Sequence, residues 1–123
     1  MEFETKLTHA DLRLLTIIWA AEPLTSPDLC KLAEKQLGWK RTTTYTVLKR
    51  LCEKGAAQND NTHVASCISR ADVQRLESRR VMERAFSGSL PQFIAAFLGS
   101  EKRISAEEAE QLKKLIDSYR KGP

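Results

Sequence analysis

The sequence predicts a mainly α-helical protein in two parts: three helices closed by a short hairpin, then three more helices. Three observations carry that expectation. Apolar residues recur at three- and four-residue intervals through most of the 123-residue chain. Ser, Thr, Pro and Gly punctuate those runs where helix caps belong. Only at "AAQNDNTHVAS" does the pattern change, to a turn signal between two short arms that suit β-strands.

The first helix lies in "THADLRLLTIIWAA", with Thr8 as N-cap and Asp11 three residues on, an approximate capping box. Leu12, Leu15, Ile18 and Trp19 form its core-facing stripe, and Pro23 ends it by disfavouring helix at Glu22. "PLTS" then has room for a small strand. The second helix takes Ser26 as N-cap and Pro27 at its first position, with Asp28 complementing the positive end. Gly38 stops it, and Leu29, Leu32, Ala33 and Leu37 make its buried face.

"GWKRTTTYTVLKRLCEKGA" supplies the third helix, from about Thr42 to a stop at Gly55. Thr44, Val47, Leu48 and Leu51 fall on one face and turn inward. Thr43, Tyr45, Thr46, Lys49 and Arg50 take the opposite face. Three consecutive threonines are a poor choice for stability alone, because the branched Cβ is restricted in a helix. Hydroxyls, a phenol and two cations on one exposed face suit phosphate oxygens and base edges. A solvated amphipathic helix would account for this face equally well. The linkage decides between them: "GWKR" is all that joins the second and third helices, the helix-turn-helix arrangement whose second helix enters the major groove. Followed by a hairpin with its turn at Asp60-Asn61-Thr62, the three helices make a winged helix. The candidate DNA-binding set is Arg41, Thr42, Thr43, Tyr45, Thr46, Lys49 and Arg50.

Charge distribution agrees. The chain carries a net charge of +4, and from Lys31 to Lys54 it holds seven basic residues against two acidic ones. The positive excess is therefore confined to the second and third helices, an electrostatic footprint for nucleic acid.

The domain boundary is expected at 69/70. Residues 70–123 read as three helices, "RADVQRLESRRVMERAF", "SLPQFIAAFLG" and "SAEEAEQLKKLIDSYRK", the last opened by Ser105 with Glu108 as a capping box. Phe86, Leu90, Phe93, Ile94, Phe97, Leu98, Leu112, Leu115, Ile116 and Tyr119 are more apolar surface than so short a segment buries alone. A recognition helix that reads a few base pairs also needs a symmetric partner. Both demands point to a homodimer built through this second, dimerisation domain.

Other classes find less support. No Gly-rich phosphate loop, paired carboxylates or Ser/His/Asp set marks an enzyme. Cys30, Cys52 and Cys67 are an odd, widely spaced set, and His9 and His63 are isolated, so neither a disulfide framework nor a metal site is expected. Cys30 and Cys52 read as small buried side chains. Cys67 is the one cysteine expected at the surface, and hence the only candidate for a redox sensor. No cofactor is expected. No apolar run approaches the about 20 residues that cross a bilayer, and no signal-like N-terminus is present, so the expected location is the cytoplasm without membrane contact. The main alternative is a winged helix that binds another protein. The cationic outer face of the third helix argues against it, since protein interfaces are depleted of lysine.

The run from Leu12 to Ala56 resembles the penicillinase-repressor family of bacteria, the BlaI/MecI group with its copper-responsive relatives. Its marks are Trp19 at the end of the first helix, Trp39 before the third, the Thr43-x-x-Thr46 pair, and the exit Arg50-Leu51 then Lys54-Gly55. The tail from "SRRVMERAF" to "LKKLID" resembles the family's helical dimerisation domain. The resemblance implies a homodimeric winged-helix repressor that binds a dyad-symmetric operator, with Thr43, Thr46 and Arg50 at DNA-contacting positions. Departures from the family pattern are present. Thr44 stands where a buried Val or Ile is usual, which predicts looser packing or a later helix start. The wing lacks basic residues, and no Cys-x-Cys pair near the C-terminus supports copper sensing. Ala96-Phe97 matches the region where antibiotic-responsive members are cut, without a recognisable cleavage signal.

Overall fold

The computed structural model describes residues 6–100, 103–120 and 122. The chain order is α1 (His9–Ala21), β1 (Leu24–Thr25), α2 (Ser26–Leu37), α3 (Arg41–Glu53), β2 (Ala57–Asp60), β3 (His63–Ser66), α4 (Arg70–Phe86), α5 (Leu90–Leu98) and α6 (Ala106–Tyr119). Two compact units form, one up to Glu77 and one from Ser78 onward.

In the first unit the small sheet has the order β1-β3-β2, antiparallel throughout. Leu24 faces Val64 on one side of β3 and Asn59 faces it on the other. The hairpin turn is Asn61-Thr62, both at positive φ (51° and 68°), the signature of a type I′ turn matched to the strand twist. This is the winged-helix architecture: α1, α2 and α3 packed together, with the β2–β3 wing after α3.

Leu14, Leu15, Ile18, Leu29, Leu48, Leu51 and Val64 are fully buried at the centre, joined by Val47, Ala33 and Val73. Each large aliphatic removed from water there contributes about 1.5–3 kcal/mol. The buried stripe of α1 is wider than expected. Leu14 and Ile17 are enclosed, whereas Leu12 and Trp19 are half-buried at its edges, as are Leu32 and Leu37 on α2. A helix covered by two helices and a sheet presents more than one narrow stripe.

Polar contacts fix the periphery. Trp19 donates its indole N–H to the Ile68 carbonyl at 2.9 Å, and the Arg70 guanidinium lies 5.0 Å from the same ring. Glu22 accepts from both the backbone N–H (2.9 Å) and the hydroxyl (2.8 Å) of Ser66, tying the end of α1 to the end of β3.

Two expected boundaries are corrected. Thr25, not Ser26, caps α2: its extended backbone lets the hydroxyl accept from the Asp28 N–H at 3.3 Å. Ser26 is instead buried in the first turn, its N–H donated to the Thr62 carbonyl at 2.9 Å, so the hairpin tip and α2 are joined. The third helix begins at Arg41, one residue earlier than expected rather than later.

In the second unit, Ser89 and Ser105 cap α5 and α6, accepting from the Gln92 and Glu108 N–H groups. Phe86 meets Phe93 edge-on at 5.3 Å, and Phe93 stacks on Phe97 at 6.3 Å. No residue of α5 or α6 is buried. No helix among the described residues is long and apolar enough to cross a membrane.

Candidate nucleic-acid interface

α3 carries the candidate site, and its two faces are sharply divided. Thr44, Val47, Leu48 and Leu51 are buried, as their spacing predicts. Thr44 departs from an aliphatic core residue without leaving a loose helix: its hydroxyl reaches the Lys40 carbonyl through a long 3.4 Å bond, and the side chain is fully enclosed. The opposite face presents Arg41, Thr42, Thr43, Thr46 and Lys49 as exposed residues, with Tyr45 and Arg50 half-exposed.

Several of these side chains are already oriented. The Arg41 guanidinium lies 5.7 Å from the Tyr45 ring, a cation–π contact across one turn. The Thr46 hydroxyl donates to the Thr42 carbonyl at 2.9 Å, one turn back along the helix. No side chain caps α3. Lys40 occupies the N-cap position in an extended conformation without a side-chain bond, so the first-turn N–H groups stay available to an acceptor.

Beneath this face lies Asp11, which does more than cap a helix. Asp11 and Thr8 form the expected capping box on α1, with bonds of 2.9 and 3.1 Å. The Asp11 carboxylate is also fully buried and meets the far end of α3. Lys54 donates to its Oδ2 at 2.5 Å and also to the Lys6 carbonyl at 3.1 Å. Arg50 Nε lies 3.5 Å from its Oδ1. Burial pushes the Asp11 carboxyl up. The Lys54 ammonium and the Thr8 donors more than offset that and hold it below the ordinary 3.8. A signal existed in the sequence: Asp at the third position of a capping box, and cations four apart at the end of α3. Only the fold brings them together.

Two of the three cysteines lie as expected, and Cys52, expected to be buried, is only partly so. Cys30 is buried, Cys52 half-buried and Cys67 exposed. Burial pushes the Cys52 thiol up, with Cys67 and Glu53 adding to the effect, which keeps it protonated at neutral pH. Among the described residues no group of three or more His, Cys, Asp or Glu side chains is placed to hold a metal ion.

A family model described as penicillinase repressor matches residues 7–118, almost the whole chain. The chain belongs to the penicillinase repressor family. Membership makes it a regulator of transcription rather than an enzyme. A curated member, the penicillinase repressor of Bacillus licheniformis, is 23% identical over 119 residues, spanning 94% of this chain and 92% of its own length. Among solved structures, the chain is similar to the DNA-binding domain of the repressor BlaI, at 25% identity and a TM-score of 0.48. That likeness covers 55% of this chain and 87% of the other. Similar too is monomeric BlaI from Bacillus licheniformis in complex with the blaP half-operator, at 24% identity and TM-score 0.48, covering 55% and 88%.

Proposed function

We propose that the protein is a homodimeric repressor, acting in the cytoplasm, that binds a dyad-symmetric operator through α3. The observation that carries this reading is the division of that helix. Its buried face locks it to α1 and α2, while Arg41, Thr42, Thr43, Tyr45, Thr46, Lys49 and Arg50 line the face left to solvent. Lys and Arg neutralise phosphates and release counterions, giving affinity that falls with salt. Side chains on the same face then choose among sequences, at about 1–3 kcal/mol per good bidentate contact.

The wing adds little to this. Its tip, from Asp60 to His63, carries an acid and no lysine or arginine, so the positive surface comes from α2, α3 and their flanks rather than from the wing. Dimerisation is assigned to α5 and α6. Leu90, Leu115, Ile116 and Tyr119 are large apolar side chains at least half exposed within their own unit. Phe86, Phe93, Ile94, Phe97, Leu98 and Leu112 extend that surface. Two copies place two α3 helices about one helical turn of DNA apart, or a multiple of it.

The test is fluorescence anisotropy with DNA from just upstream of the protein's own gene, against a scrambled duplex, over a salt series. A steep salt slope with preference for the upstream fragment is expected. The slope without preference would place the target elsewhere in the genome. No binding at low salt would replace DNA by a protein partner.

A further inference from the structure

Asp11 is more deeply engaged than a helix cap requires. Its Oδ2 takes the Thr8 N–H and the Lys54 ammonium. Its Oδ1 is buried and lies 3.5 Å from Arg50 Nε, itself buried, and neither atom has a hydrogen-bond partner among the described residues. Yet the Arg50 side chain as a whole is 43% exposed. Arginine therefore reaches from the core to the DNA-facing side of α3, with its inner nitrogen against a fixed carboxylate. A guanidinium is planar and carries five N–H donors in a rigid fork. The Arg50–Asp11 ion pair, which is not a hydrogen bond, tethers the inner end of the side chain and leaves the four Nη donors uncommitted among the described residues.

From this arrangement we infer that Asp11 is a positioning residue for DNA recognition: the buried carboxylate orients the Arg50 guanidinium for its acceptor on the DNA. The inference rests on the reading of α3 as the recognition helix. It deepens that reading by making the first turn of α1 part of the interface without touching DNA. An arginine already tethered at its inner nitrogen loses less freedom on binding than one that must be ordered by the DNA itself. Removing the carboxylate should therefore weaken recognition. Net charge predicts the opposite sign: Asp11→Asn deletes a negative charge near a polyanion and, by electrostatics alone, should tighten binding. The sign of the effect separates the two.

The experiment compares wild type, Asp11→Asn, Arg50→Ala, the double variant and Arg50→Lys. Anisotropy is read with the upstream DNA fragment and its scrambled control, well below the melting temperature of each protein. Asp11→Asn is expected to weaken binding to the upstream fragment about tenfold, with a smaller loss on the scrambled one, and to cost less than about twofold once Arg50 is alanine. Arg50→Lys, which keeps the charge but cannot span carboxylate and DNA with one planar group, should lose nearly as much as Arg50→Ala. This second arm stands even if Asp11→Asn fails to fold.

Asp11→Asn binding as tightly as wild type would overturn the inference. So would an equal loss with and without Arg50, which is the mark of a purely structural cap, or Arg50→Lys binding like wild type. In each of those cases DNA recognition by α3 survives. Wild-type protein that shows no binding at low salt would instead remove the recognition reading and this inference together.

Discussion

At the scale of single residues, Asp11 joins stability and charge. Asp11→Ala removes the cap and leaves Lys54, whose side chain is only 17% exposed, without its carboxylate. Breaking a buried pair from one side costs about 3–5 kcal/mol, and thermal unfolding should show a correspondingly lower Tm. The pH dependence has a definite sign. Because the folded carboxyl titrates below its ordinary value of 3.8, its contribution is complete above that value. It is lost as pH falls through the folded pKa. Denaturant titrations from neutral to acid pH should show that loss in wild type and a shallower one in Asp11→Asn. Arg50 belongs to the same cluster but acts outward. Arg50→Ala should weaken operator binding by about 1–3 kcal/mol and reduce the salt slope by about one, with the oligomeric state by sedimentation unchanged.

At the scale of elements, the sequence was legible wherever a local rule decided the outcome. The inward set of α3, the Thr8–Asp11 cap and the six helices all follow from spacing and punctuation. What escaped was set by partners distant in sequence. Ser26 looks like an N-cap, yet β1 pairing makes Thr25 extended and the Thr62 carbonyl claims the Ser26 N–H. Leu14 and Ile17 are buried because several elements cover α1. The Asp11–Lys54 contact joins residues 43 apart, which no local pattern encodes. The hairpin offers a direct test of a local rule. Thr62 holds φ at 68°, a left-handed conformation its branched side chain disfavours, and its contact with α2 is made by the backbone. Thr62→Gly keeps that contact and supplies the Asn-Gly pair favoured in type I′ turns. It should raise stability by about 0.5–1 kcal/mol, measured as a higher denaturant midpoint with unchanged m-value.

At the scale of the whole molecule, the two units make different demands on stability. The first has a closed core of aliphatic side chains from α1, α2, α3, the sheet and Val73 of α4. The second leaves every residue of α5 and α6 at least partly exposed, with Leu115, Ile116 and Tyr119 at 54, 60 and 81%. Helices with that much apolar surface in water are stable only when something covers it, and a second copy of the same face is the simplest cover. The stability of this unit should then depend on protein concentration, with Tm rising as the chain is concentrated, as mass action requires when folding and association are linked. Ile116→Asp puts a charge on that face at a position where the isolated unit makes no demand for an apolar residue, so unfolding of the first unit should be unaffected. Sedimentation should return the mass of a single chain in place of two. Operator affinity should fall by about a hundredfold or more, because two linked half-site contacts become independent ones. Wild-type mass and affinity in that variant would locate the dimer contact on another surface.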